Sequence, residues 1–100
     1  VEGAKGKIKI KDLREGMLHV TIEVRVVGLI ELATVKGKRL ARYLVEDDTG
    51  RIELVLWDRA PINVGGRVLL KNAFVSRDYE GRLRLNVGKF GDIKALERPQ

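Results

Sequence analysis

The sequence predicts an all-β domain, a small barrel of five strands with a short helical lead-in. Three observations carry that reading. Apolar and polar residues alternate over long runs, most clearly from His19 to Leu32, where Val20, Ile22, Val24 and Val26 share one side and Thr21, Glu23, Arg25 and Val27 the other. Turn-forming stretches such as DDTG (47–50) and DYEG (78–81) separate the runs. Gly28 interrupts the first and longest run, where a bend or bulge lets one strand serve two sheets.

Taken in order, residues 1–9 mix Gly and Lys without periodicity, and fraying is expected there. KDLREGM (11–17) predicts a helical turn from Asp12 to Gly16, packing Leu13 and Met17 beneath the barrel. The long first strand leads into ATVKGKR (33–39), read as a flexible cationic loop, and then into a second strand through LARYLVED. At DDTG the Asp and Thr side chains bond nearby backbone and Gly50 accepts positive φ, so the third strand, RIELVLW, closes a hairpin. DRAPINVGG (58–66) breaks the pattern with Pro61 and two glycines, an irregular link with room for a turn or short helix. RVLLKNAFVSRDY opens a fourth strand, and RLRLNVG (82–88) is a fifth with Leu83 and Leu85 inward and Arg82, Arg84 and Asn86 outward. The last residues, 97–100, are expected to be loose. This order matches the five-stranded OB barrel, with an SH3-like barrel or a small sandwich open on periodicity alone.

A chain of 100 residues, 44% of them hydrophobic, buries one core, so residues 1–100 are read as a single domain. No apolar run approaches the roughly 18 residues that span a bilayer. The reading is a soluble intracellular chain with no membrane partner. Without cysteine there is no disulfide or thiolate site, and His19 is the lone histidine. The charged fraction of 34% resembles thermophile composition. Lys and Arg outnumber Asp and Glu by 20 to 14, a balance that favours anionic partners, nucleic acid before membrane.

No catalytic constellation stands out: Ser76 is the only serine, and nothing places it with His19 and an orienting carboxylate. The acidic run Glu46–Asp47–Asp48 could hold a divalent ion, but before Thr-Gly it reads as turn chemistry, so no metal and no cofactor is expected. The Gly-Lys stretches do not match a phosphate-binding signature.

What remains is a mixture of aromatic and basic residues. Single strands of nucleic acid need exposed rings on which bases stack, together with cations along the phosphates. Trp57, the only tryptophan, has the parity of Arg51 and Glu53, opposite the core set Ile52, Leu54 and Leu56, which favours an exposed platform over a core cap. Phe74 follows Lys-Asn-Ala, where a bulge leaves its face undecided; Tyr79 lies in a turn with little core to reach. Tyr43 and Phe90 read as core or staple residues. Arg82 and Arg84, alternating with Leu83 and Leu85, share a face and can meet phosphates, as can Arg51 on the Trp57 side of its strand, with Lys36, Lys38 and Arg39 in the first loop and Arg77 in the last as clamps at the groove ends.

DLREGMLHVTIEVRVVG, ARYLVEDDTGRIELVLWDRA and GRVLLKNAFVSRDYEGRLRLNVG together resemble the single OB-fold single-stranded DNA-binding proteins of archaea, related to replication protein A and the simple eukaryotic SSBs. The likeness runs from about Ile10 to Leu96. Its most specific parts are the run from Asp47 to Trp57, the Asn72-Ala73-Phe74 segment, Tyr79, and the L-x-L-N strand from Leu83 to Asn86. The resemblance implies sequence-independent binding of single-stranded DNA during replication, recombination or repair, in the cytoplasm on the nucleoid, with Trp57, Phe74 and Tyr79 stacking on successive bases. Single-stranded RNA, or replication and repair proteins contacted by an OB subunit, stand as alternative partners. Relatives often continue into a Gly-rich, basic or acidic tail that recruits other proteins.

Overall fold

A computed structural model of the chain describes residues 7–59 and 61–97, and within them seven strands form one sheet. They are β1 (Lys7–Ile8), β2 (Val20–Val35), β3 (Lys38–Asp47), β4 (Gly50–Trp57), β5 (Arg67–Arg77), β6 (Leu83–Val87) and β7 (Asp92–Glu97). Five of them close a ring. β2 pairs with β3, β3 with β4, β4 in parallel with β6, β6 with β5, and β5 returns to β2. This is the predicted OB barrel. β1 and β7, which the periodicity did not predict, pair onto its edges: β1 parallel to β2, β7 antiparallel to β5.

The closure depends on β2 serving two neighbours. Val20 to Arg25 pairs with β5 and Arg25 to Val35 pairs with β3, with register shifts between Val26 and Gly28 and between Leu29 and Glu31. The expected bulge at Gly28 is therefore present. Alternation then fills the interior from every strand: Val20, Ile22, Val24 and Val26 of β2, Tyr43 and Val45 of β3, Ile52, Leu54 and Leu56 of β4, Leu85 and Val87 of β6. Tyr43 is core, as expected, and its hydroxyl accepts a hydrogen bond from the Ile62 amide at 3.1 Å, which pins the irregular link after β4.

On β5 the buried positions run Val68, Leu70, Ala73, Val75. The three-residue step is a bulge: Ile22 faces Leu70 but Val20 faces Ala73, and Asn72 takes φ 57. The extra residue flips the parity of everything after it. Phe74 is turned outward by this step.

Several expectations need correction. The helical turn is a 3₁₀ turn at Ile10–Asp12, ahead of the predicted span, because Asp47 reaches across to accept the Ile10 amide at 2.9 Å; Leu13 and Met17 do pack against the core. The flexible loop 33–39 is a two-residue hairpin tip, Lys36-Gly37, both at positive φ, with Val35 facing Lys38. Lys38 and Arg39 therefore lie on β3. Gly50 starts β4 without positive φ, since Asp47 Oδ1 satisfies the turn by accepting from Thr49 N, Thr49 Oγ1 and Gly50 N. Of the expected loose ends, residues 1–6 and 98–100 lie outside the described residues, whereas Lys7 and Ile8 pair with β2 and Glu97 pairs with Arg67. Phe90, expected as a core or staple residue, is 82% exposed, on the loop just before β7 docks on β5.

Candidate nucleic-acid interface

The outer face of β3, β4, β6 and β5 carries the residues singled out by parity. At its centre is Asn86, the one buried polar residue of the described chain. It stands opposite Val55 on β4 and Phe74 on β5. Its Oδ1 accepts the indole N–H of Trp57 at 3.2 Å, and its Nδ2 donates to Phe74 O at 3.2 Å and to Ser76 Oγ at 2.9 Å. One amide thus ties together three strands and orients the tryptophan. Val55 is fully buried yet lies outside the core cluster, flanked in register by Arg42 and Asn86, so this outer face has a packed floor of its own.

Trp57 is on the predicted side of β4 but is half-buried, so the open platform that parity suggested is a ring with one exposed side. Phe74 is 37% exposed on the same face, and the structure brings the two rings to either side of Asn86. Tyr79 is fully exposed in the β5–β6 turn, which lies at the N-terminal end of β6 whereas Trp57 lies beyond its C-terminal partner pair. Asp78 shapes that turn by accepting the Glu80 and Arg82 amides, each at 2.9 Å. Those two amides, with Arg82 first, hold its carboxyl below the usual carboxylate range against the opposing effect of burial.

The predicted cations divide into two groups. Lys36, Lys38 and Arg39 are exposed at the hairpin tip and its exit, with no ion pair among the described residues. The others are engaged. Arg51 pairs with Glu46, Arg77 with Glu15 and the Gly81 carbonyl, and Arg82 with Glu80. Arg84 Nε lies 3.3 Å from Glu53 Oε2 without hydrogen-bond alignment. Glu53 also receives Arg42, which reaches on to Glu31, so a ladder Glu31–Arg42–Glu53–Arg84 crosses the face. Hydrogen bonds to Glu53, then to Glu31, keep the Arg42 guanidinium even more firmly protonated than usual.

Arg42 was not singled out in the sequence, although its alternation with Tyr43 and Ala41 marks it as outward. Arg59 was missed for a different reason. It lies in the irregular link, and only the fold shows its Nη1 donating to the carbonyls of Gly88 at 2.9 Å and Gly91 at 2.8 Å. In the acidic run, Glu46 binds Arg25 and Arg51, Asp48 binds Lys9, and Asp47 is the turn acceptor. Among the described residues no group of His, Asp or Glu side chains is placed to hold a metal. A cleft of about 540 Å³ lies between β1, β2 and the β3–β4 turn; its Lys7–Glu23, Lys9–Asp48 and Arg25–Glu46 pairs neutralise one another and no aromatic lines it among the described residues.

Comparison with known proteins bears on the fold and the family. The single-stranded DNA-binding protein Ssb of Saccharolobus solfataricus is 30% identical over 86 residues, which make up 80% of this chain and 57% of that protein. This chain has the OB fold and is similar in sequence to an archaeal single-stranded DNA-binding protein. It spans a little over half the length of that relative. Among solved structures, the OB domain of a Thermoplasma acidophilum protein superposes with a TM-score of 0.79 at 24% identity, covering 94% of this chain and 90% of that one. The second OB-fold domain of replication protein A from Methanococcus maripaludis gives 0.72 at 24% identity, covering 94% and 98%. At that identity the two structures establish the OB fold. No protein-family model matches the chain.

Proposed function

We propose that this OB domain binds single-stranded DNA with little regard to sequence, as a binding module and not an enzyme. The observation that carries the reading is the placing of Trp57 and Phe74 about Asn86, on the outer face of a closed barrel, with cations that hold no ion pair among the described residues at the adjacent hairpin tip. Bases stack on Trp57 and Phe74, with Tyr79 as a third ring at the far end, each contributing about 1 to 3 kcal/mol. Lys36, Lys38 and Arg39 meet phosphates directly. Arg51, Arg77, Arg82 and Arg84 do so by exchanging a carboxylate partner for a phosphate, which lowers the net gain. The name of the Saccharolobus relative supports DNA as the ligand.

Titration of Trp57 fluorescence with oligo-dT, oligo-U and a duplex at low and high salt tests the reading. Quenching by oligo-dT that weakens with salt, with little response to duplex, is the expected result. An equal response to oligo-U makes the domain a general single-strand binder, and no binding of any strand overturns the proposal.

A second reading, a protein-contact OB subunit, rests on the far half of β2. Leu29, Ile30, Leu32 and Val35 are exposed there, and beyond Val26 that stretch pairs only with β3 among the described residues. Its mark is a salt-insensitive complex formed without nucleic acid.

A further inference from the structure

A second cleft, about 190 Å³, opens beside Phe74, and its walls include Leu18, His19, Asn72, Lys89 and Phe90. Three of its apolar walls face solvent: Leu18 is 66% exposed, Phe90 82% and Phe74 37%. Isolated exposed apolar residues are ordinary, but three around one concavity form a patch that water covers poorly. No carboxylate lines it, and the Lys89 ammonium sits 5.7 Å above the centre of the Phe90 ring.

The cleft is built from constrained backbone. His19 and Asn72 both take left-handed φ values of 57, unusual for residues with side chains, and their side chains meet at 2.7 Å between Nδ1 and Oδ1. Asn72 Nδ2 then donates to the Phe90 carbonyl at 3.2 Å. From the other side Arg59 holds the carbonyls of Gly88 and Gly91. Gly91 has no room for a side chain, since a Cβ there would stand 2.6 Å from Val87 Cγ1. An exposed phenylalanine on a loop fixed at three points is pre-organised for a flat ligand, not for burial in its own core.

We infer that this cleft is an additional nucleotide subsite, in which an unpaired base inserts against Phe74 and Phe90 and its phosphate meets Lys89. The inference rests on the single-strand reading above and lengthens the binding path. Phe74 is shared, one side of its surroundings being the Asn86 face and the other this cleft, so a strand stacked on Trp57 and Phe74 continues without a gap. The chemistry is that of stacking with a nearby cation, which favours an anionic aromatic ligand over a neutral apolar side chain.

The test compares wild type, Phe90→Ala and Phe90→Trp on oligo-dT of increasing length, followed by anisotropy and by Trp57 quenching. Phe90→Ala is expected to bind the shortest competent oligonucleotide as wild type does, and to bind longer ones about 5- to 150-fold more weakly, the loss of one stacked base. Phe90→Trp restores the long-oligonucleotide affinity, and Lys89→Ala reduces the salt slope by about 0.7. Phe90 is exposed, so thermal stability stays at the wild-type value. Equal affinity of wild type and Phe90→Ala at every length overturns the subsite and leaves the Trp57 interface standing. Absence of single-strand binding by wild type overturns both. Weakening of a protein complex by Phe90→Ala, with DNA affinity untouched at every length, assigns the cleft to an apolar protein side chain and overturns the nucleotide subsite.

Discussion

The indole N–H of Trp57 donates to Oδ1 of Asn86 at 3.2 Å, and Asn86 is almost wholly buried although it lies on the outer face of the barrel. A buried amide with all these partners satisfied orders the face; with the amide removed, the partners are left unpaired. Asn86→Ala is expected to cost about 1 to 3 kcal/mol. In a domain of this size each kcal/mol lowers Tm by about 4 to 8 °C. Thermal unfolding measures that loss, and Trp57 emission reports the freed ring.

The three aromatic positions differ in burial, so their alanine variants separate affinity from stability. Tyr79→Ala removes a fully exposed ring and is expected to lower oligo-dT affinity with Tm unchanged. Phe74→Ala lowers affinity with a small loss of Tm. Trp57→Ala lowers both, because its half-buried ring also covers the face around Val55 and Asn86. The affinity loss per ring is about 5- to 150-fold. Paired anisotropy and thermal melts decide each case, and a fall in Tm alone marks the residue as structural.

Cations that already hold a carboxylate exchange one anion for another on binding, whereas unpaired ones release counterions in full. Replacing Lys36, Lys38 and Arg39 together by Ala is therefore expected to flatten the slope of log affinity against log salt by about 2. Replacing Arg82 and Arg84 changes it less, because both are ion-paired in the free protein. Binding isotherms across a salt series check the difference.

Asp47 joins the 3₁₀ lead-in to the β3–β4 turn. Burial pushes its carboxyl upward, but hydrogen bonds from the Thr49 hydroxyl and the amides of Ile10, Thr49 and Gly50 outweigh that and hold it below its ordinary value. A carboxyl depressed in the folded state stabilises fully above the unfolded value, about 3.9, and that contribution fades as pH falls through the folded value. Asp47→Asn is expected to be less stable than wild type at neutral pH and to converge on it as pH falls through the depressed folded value of the carboxyl. Denaturant unfolding across pH 2 to 7 measures the convergence; a gap that persists at the acid end rules out the carboxylate as its source.

Much of this protein was legible in its residues because strand parity is a local property. The alternation from Val20 to Val26 and from Ile52 to Leu56 specifies which side faces the core whatever the neighbours do. It also placed Trp57 outward, and Gly28 at a bend. The cationic loop misled because Lys36-Gly37 closes a two-residue turn only when Val35 and Lys38 are paired, which propensity in the loop does not report.

By itself the sequence determined the all-β class, its five core-filling strands and the outward parity of Trp57, Arg84 and Asn86, since these follow from a period-two pattern and the turns that interrupt it; closure into one ring rather than a sandwich came with the pairing of β2 to β5. Tertiary structure alone decided the face of Phe74, the exposure of Phe90 and the pairing of Arg42 and Arg84 with Glu53. Each depends on a contact between distant segments: a bulge set by pairing with β2, the docking of β7 on β5, and charges brought together across three strands. A residue's own neighbours in the chain carry no record of such contacts, because the free energy that selects them comes from surfaces that meet only when the ring closes.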